Sequence, residues 1–236
     1  MAVRVQKTIP FMPGRWVFET RDQAGRELAD FLATMYAGTD AVVLAVPRGG
    51  VPVGAPIARR LRAPLDVIVP RKIPIPWEPE AGFGAVAPDG TIVLNEELVP
   101  LLGLSEAEIR AEARVVQQEI QRRTRVYRGN RPPPATAGRL VILTDDGLAS
   151  GLTMVAAVRS VRRNGPSGVV VAVPVAPRSS VRRLSAEADE VVCLIEQERG
   201  PFAVASFYRF FPDLSDEEVI RLLDEAQPVL RGEAPA

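Results

Sequence analysis

The stretch VILTDDGLASGLTM, residues 141–154, decides how the rest of the chain is read. Val141, Ile142 and Leu143 favour burial, and Asp145 and Asp146 immediately oppose it. Gly147, Ala149, Ser150, Gly151 and Thr153 follow, with little side-chain bulk, so their backbone N–H groups are open to a ligand. An apolar helical pattern starts near Leu152. In open α/β sheets, ligands bind beyond the carboxyl ends of the strands, where the strand order reverses. Consecutive N–H groups beside a helix N-terminus make an anion site there. The loop Gly147, Leu148, Ala149, Ser150, Gly151, Leu152, Thr153 is therefore expected to cradle a phosphate, with hydroxyls from Ser150 and Thr153. Asp145 and Asp146 would repel that phosphate. As acceptors they suit sugar hydroxyls or a magnesium ion. The combination describes a ribose 5-phosphate, whereas acids that only capped a helix would need no such loop.

Working outward, short apolar runs alternate with helical patterns. AVVLAV (41–46), LDVIVP (65–70), residues 140–145, GVVVAVPV (168–175) and DEVVCLI (189–195) read as buried strands. Helices are expected over 20–37, 55–61, 105–127, 152–163 and 178–188, and a last one from Ser215. Ser105 and Glu108, and again Ser215 and Glu218, have capping-box spacing. Asp89-Gly90 marks a hairpin within 83–95, the prolines of 73–82 point to a loop, and 15–19 reads as a short extended segment. Continuously apolar strands between helices imply an α/β fold, a three-layer, mostly parallel doubly wound sheet. To this are added an inserted hairpin plus long helix and a small hood. We expect one domain over 1–236, with a core of about 20–195 and a hood of about 196–230 that the N-terminus helps to build. The final RGEAPA is expected to fray.

Composition narrows the chemistry. The formal net charge is zero, so no general basic field points to nucleic acid. No apolar run is long enough for a membrane span, and MAVRVQKTIPFMPG lacks the apolar centre of a signal peptide. A cytoplasmic setting is the expectation. The chain has no histidine, which removes Ser–His and Cys–His catalysis and the usual zinc sites. Cys193 is the only cysteine and sits in an apolar run, as a buried structural thiol does. Lys7 and Lys72 are the only lysines in a chain that otherwise uses arginine, which singles out Lys72.

The stretch VILT-DD-GL-ASGLT resembles the phosphoribosyl diphosphate (PRPP) motif of type I phosphoribosyltransferases: an apolar strand, two acids, two variable residues, then Ala-Thr/Ser-Gly-x-Thr. PRGG (47–50) ends the first core strand, where that family places its pyrophosphate loop with an unusual, often cis, peptide. The resemblance implies that Arg48, Gly49 and Gly50 bind pyrophosphate, with Arg48–Gly49 as the special peptide. Arg71 and Lys72, at the end of the second strand, would add positive charge. The implied reaction transfers the 5-phosphoribosyl group of Mg-PRPP to a nucleobase or similar acceptor and releases pyrophosphate. Asp145 and Asp146 would serve the ribose and Mg2+, and Arg48, Lys72, Asp145 and Asp146 would form the catalytic set. Closure is expected from 73–90 or 125–137, where Arg125, Arg128 and Arg131 could reach phosphate. Phe207, Tyr208 and Val175 would border the base, and a homodimer or larger homo-oligomer is implied. Ala149 stands where hypoxanthine–guanine enzymes carry a third acid, and 171–179 lacks their base-reading lysine. That specificity is therefore not expected. The alternative is a PRPP-binding sensor with little or no turnover.

Overall fold

A computed structural model describes residues 2–10 and 16–226. Its main sheet contains β1 (Ala2–Ile9), β2 (Ala41–Ala45), β3 (Leu65–Val67), β7 (Leu140–Thr144), β8 (Gly168–Pro177) and β9 (Glu190–Gln197). The strands are all parallel, in the order β1-β9-β8-β7-β2-β3. Alternate residues point to opposite faces, and helices cover both. Val43, Ala45 and Ile142 face the layer of α1 (Arg21–Tyr36) and α2 (Gly50–Leu61). Val42, Leu44, Val141 and Leu143 face α5 (Leu152–Arg162) and α6 (Arg178–Ser185). Chain order runs outward from β2 through α2 to β3, and in the other direction from β7 through α5, β8 and α6 to β9. The reversal falls between β2 and β7, so their carboxyl ends flank the switch-point crevice.

The insertion differs from the expected loop and single hairpin. β4 (Arg71–Ile75), β5 (Glu78–Val86) and β6 (Ile92–Leu94) form a separate antiparallel sheet in the order β4-β5-β6. The hairpin at Asp89-Gly90 joins β5 to β6, and the Asp89 carboxylate accepts the Thr91 N–H at 3.0 Å. The prolines did not exclude a strand, because β4 is an edge strand and its register shifts on both sides of Pro74. A residue without an N–H is tolerated at such a place. A short helix, α3 (Val99–Leu102), precedes α4 (Glu106–Arg128), whose capping box is fully formed: Glu108 N–H donates to Ser105 Oγ, and Ser105 N–H donates to the Glu108 carboxylate.

Strand β1 was not expected; it pairs with β9 at the sheet margin. At the other end of the described chain, the segment from Phe207 to Phe210 zips onto residues 17–19: Val17 and Phe18 N–H donate to Phe207 O, and Arg209 N–H donates to Phe18 O. α7 (Asp216–Ala226) then packs Val219 and Leu223 into the core beside α2 and α4. The expected fraying of RGEAPA lies outside the described residues. No helix among the described residues is long and apolar enough to cross a membrane.

Candidate functional site

Ala45 and Thr144 are register partners, so the loops leaving β2 and β7 emerge side by side. Val46 N–H still donates to Thr144 O at 2.9 Å, and Gly50 N–H turns back to Val46 O at 2.9 Å to begin α2. The special peptide is Pro47–Arg48, which is cis, and not Arg48–Gly49; Gly49 already has helical angles as the N-cap of α2. Gly49 is needed for a close approach. A Cβ there would stand 2.0 Å from Asp146 Oδ2, and one at Gly50 would stand 2.8 Å from Thr144 O. The two motifs singled out in the sequence are thus in contact.

The acid pair has a partner that sequence reading missed. Arg21 Nε donates to Asp146 Oδ2 at 2.7 Å, and Arg21 Nη1 donates to Pro212 O at 2.7 Å. The guanidinium lies 3.5 Å from the centre of the Phe211 ring. Tyr208 Oη donates to the main-chain O of Asp146 at 2.6 Å. The Asp146 N–H donates to Asp145 Oδ1 at 2.8 Å. Burial, then the Asp146 charge, raises the Asp145 pKa well above the carboxylate range. Burial also raises that of Asp146, but Arg21 opposes the shift by hydrogen bond and charge. Asp146 is therefore the member that ionises first, and Asp145 keeps its proton to higher pH. One signal for Arg21 was available: a cation in the first turn of a helix opposes the helix dipole, so its presence there points to another role.

The loop after the acids has the form expected of a cradle. Leu148 is buried and its N–H is used on Val175 O at 3.0 Å, which pins the base of the loop. Gly151 has φ +77°, left-handed backbone that a side chain would resist, and it leads into α5. Ser180 Oγ donates to Ala149 O. Among the described residues, the N–H groups of Ala149, Ser150, Gly151 and Thr153 have no protein acceptor. Four unpaired donors at a helix N-terminus are what a dianionic phosphate requires.

Other expected site residues lie elsewhere. Lys72 is in β4, not at the end of β3, and its Nζ donates to Glu80 O. Among the described residues it makes no hydrogen bond or ion pair with either loop. Arg71 starts β4 and faces Glu119 of α4 at 4.0 Å. Arg48 is half-exposed and lies 3.8 Å from Asp216, which also accepts the Tyr127 hydroxyl at 2.8 Å. Of the arginines expected in a closing loop, Arg128 donates to Asp66 and Val67 O, and Arg131 donates to Asp224 and Tyr127 O. Both tie α4 and its exit to the body, and most of 73–86 is in β4 and β5, so neither segment has the form of a free lid. The Arg125 side chain makes no hydrogen bond or ion pair among the described residues. Phe207 and Tyr208 are buried, not an open wall for a base: Phe207 packs on Phe202, and Tyr208 packs between Phe18 and Phe211. Val175 is fully buried against Gly147. Covering the sheet end and the N-terminal segment removes more apolar area from water than presenting these rings would.

Among the described residues there is no group of three or more acidic, cysteine or histidine side chains suited to a metal ion. With one arm of Asp146 on Arg21, the pair is a poor cage for Mg2+ held by protein alone; an ion carried on a diphosphate would arrive as part of the substrate.

The chain belongs to the phosphoribosyl transferase domain family, whose model matches residues 88–207. Proteins of two Mycobacterium tuberculosis strains, provisionally named phosphoribosyl transferases, are 44% identical over 210 residues, 89% of this chain and 47% of theirs. The chain thus spans about half the length of these curated relatives. The crystal structure of TT1426 from Thermus thermophilus is similar at 40% identity and a TM-score of 0.74, covering 89% of this chain and 98% of that one.

Proposed function

We propose that the protein binds Mg-PRPP at the switch point and transfers its 5-phosphoribosyl group to a small nitrogenous acceptor such as a nucleobase. The observation that carries this reading is the set of unpaired N–H groups of Ala149, Ser150, Gly151 and Thr153 next to an acid pair, across from a Gly-Gly helix start. The 5-phosphate takes the loop donors and the helix N-terminus. The ribose diol takes Asp146 as acceptor, with Asp145 beside it. The diphosphate lies toward Arg48, which must exchange Asp216 for substrate. In the reaction the C1–oxygen bond to diphosphate breaks, a C1–nitrogen bond forms, and the acceptor nitrogen loses its proton. Fixed donors at both phosphate ends hold the sugar while charge develops at C1. A homo-oligomeric state and a cytoplasmic setting belong to the same reading.

The test is pyrophosphate release from Mg-PRPP with adenine, guanine, hypoxanthine, xanthine, uracil and orotate offered in turn. Release with one of them supports the transferase. The burial of Phe207 and Tyr208 leaves the acceptor wall without an assigned aromatic, which favours the sensor as the second reading. Tight PRPP binding with no release across the panel would select it.

A further inference from the structure

We propose that Arg21 is the positioning residue that fixes Asp146 for the ribose and so makes the site selective for a sugar with an intact diol. The inference rests on the ribose assignment above. Asp146 has two carboxylate oxygens with different surroundings. Oδ2 is confined between Arg21 Nε at 2.7 Å and the Cα of Gly49, where a Cβ would come within 2.0 Å. Oδ1 is not engaged by Arg21, and we assign it as the acceptor for the substrate. A carboxylate held at one oxygen is restrained against rotation, so Arg21 biases the direction of the other.

Arg21 is itself held from three sides. Pro212 O accepts from Nη1 at 2.7 Å, Phe211 lies under the guanidinium at 3.5 Å, and Thr20 caps the helix that carries it by accepting the Gln23 N–H at 3.2 Å. Tyr208 fixes the main chain of the same aspartate at 2.6 Å. The hood segment therefore acts on the sugar site through Arg21 and Tyr208, without contributing a stacking ring. An arginine suits this task better than a lysine, because its planar fork fixes direction as well as charge.

The experiment compares binding of ribose 5-phosphate and 2-deoxyribose 5-phosphate to the full chain by calorimetry, in the wild type, Arg21→Met, Arg21→Lys, Phe211→Leu and Asp146→Asn. The wild type is expected to prefer ribose by about tenfold, the worth of one hydrogen bond to a charged acceptor. Arg21→Met should bring that ratio close to one while leaving the affinity for the deoxy sugar within about twofold, since the phosphate loop is untouched. Arg21→Lys and Phe211→Leu should give intermediate ratios; they carry the test if Arg21→Met does not fold, as judged by circular dichroism. A full ribose preference retained in Arg21→Met, or in both milder variants, overturns the role of Arg21 while the diol assignment stands. No preference in the wild type, or one that survives Asp146→Asn, overturns the diol assignment and this inference with it.

Discussion

Gly49 and Asp146 show how closely the two loops depend on each other. The 2.0 Å approach of a hypothetical Cβ to Asp146 Oδ2 leaves no room for alanine without moving the carboxylate or breaking its bond to Arg21. Gly49→Ala is expected to weaken PRPP binding at least tenfold with a normal circular dichroism spectrum, because the displaced group is at the site and not in the core. Unaltered PRPP affinity in titration calorimetry would contradict that geometry. Asp145→Asn combined with Asp146→Asn should abolish PRPP binding in the same assay while the chain still folds: it removes the acceptors, and with them two carboxyl groups whose burial disfavours ionisation. The acids, the small-residue loop and PRGG were legible because each is a contiguous run with its own chemistry. Arg21 offered only its unfavourable place in the first turn of a helix, since its partner lies 125 residues away and only the fold brings them together.

At the level of elements, local signals worked where hydrogen bonds are local and failed where pairing is remote. The α4 start was readable from Ser105 and Glu108 because both halves of a capping box lie within one turn. Ser105→Ala should cost about 1 kcal/mol and lower the melting temperature by about 2–4 °C for a chain of this size. PRPP affinity should not change, as the cap lies on an exposed end of α4. A loss of affinity would mean that α4 couples to the site. Strand β1 carried no comparable signal. It is exposed over most of its length and exists by parallel pairing with β9. β4 was obscured by its prolines, whose missing donors matter little at a sheet edge. That error displaced Lys72: assigned to the end of β3, it would have faced the crevice, but in β4 it lies along β5.

The whole molecule puts its polar groups at the switch point and keeps the layers on either side of the sheet apolar, and this shapes its response to pH. Cys193 is fully buried in the sheet; burial, followed by the nearby Glu196 charge, pushes its thiol from 9.0 up to about 12. Burial, then the hydrogen bond to Asp216, moves Tyr127 from 10.0 up to about 12. Tyr208 and Tyr36 are raised as well, again chiefly by burial. In each case the folded state holds its proton to a higher pH than the unfolded chain does. The stabilising difference is therefore complete below the unfolded values and is lost as pH rises from about 9 toward the folded values. The melting temperature should hold between pH 7 and 9 and fall steadily from 9 to 12 at constant ionic strength. Cys193→Ala should lower stability at neutral pH by leaving a small cavity, and should also flatten the first part of the alkaline fall, because its thiol is the first of these groups to ionise in the unfolded chain. In the native protein the same thiol should resist a disulfide reagent until denaturant is added. A melting temperature unchanged up to pH 11, or rapid native-state labelling of Cys193, would show that the sheet interior is open to water in a way its packing does not allow.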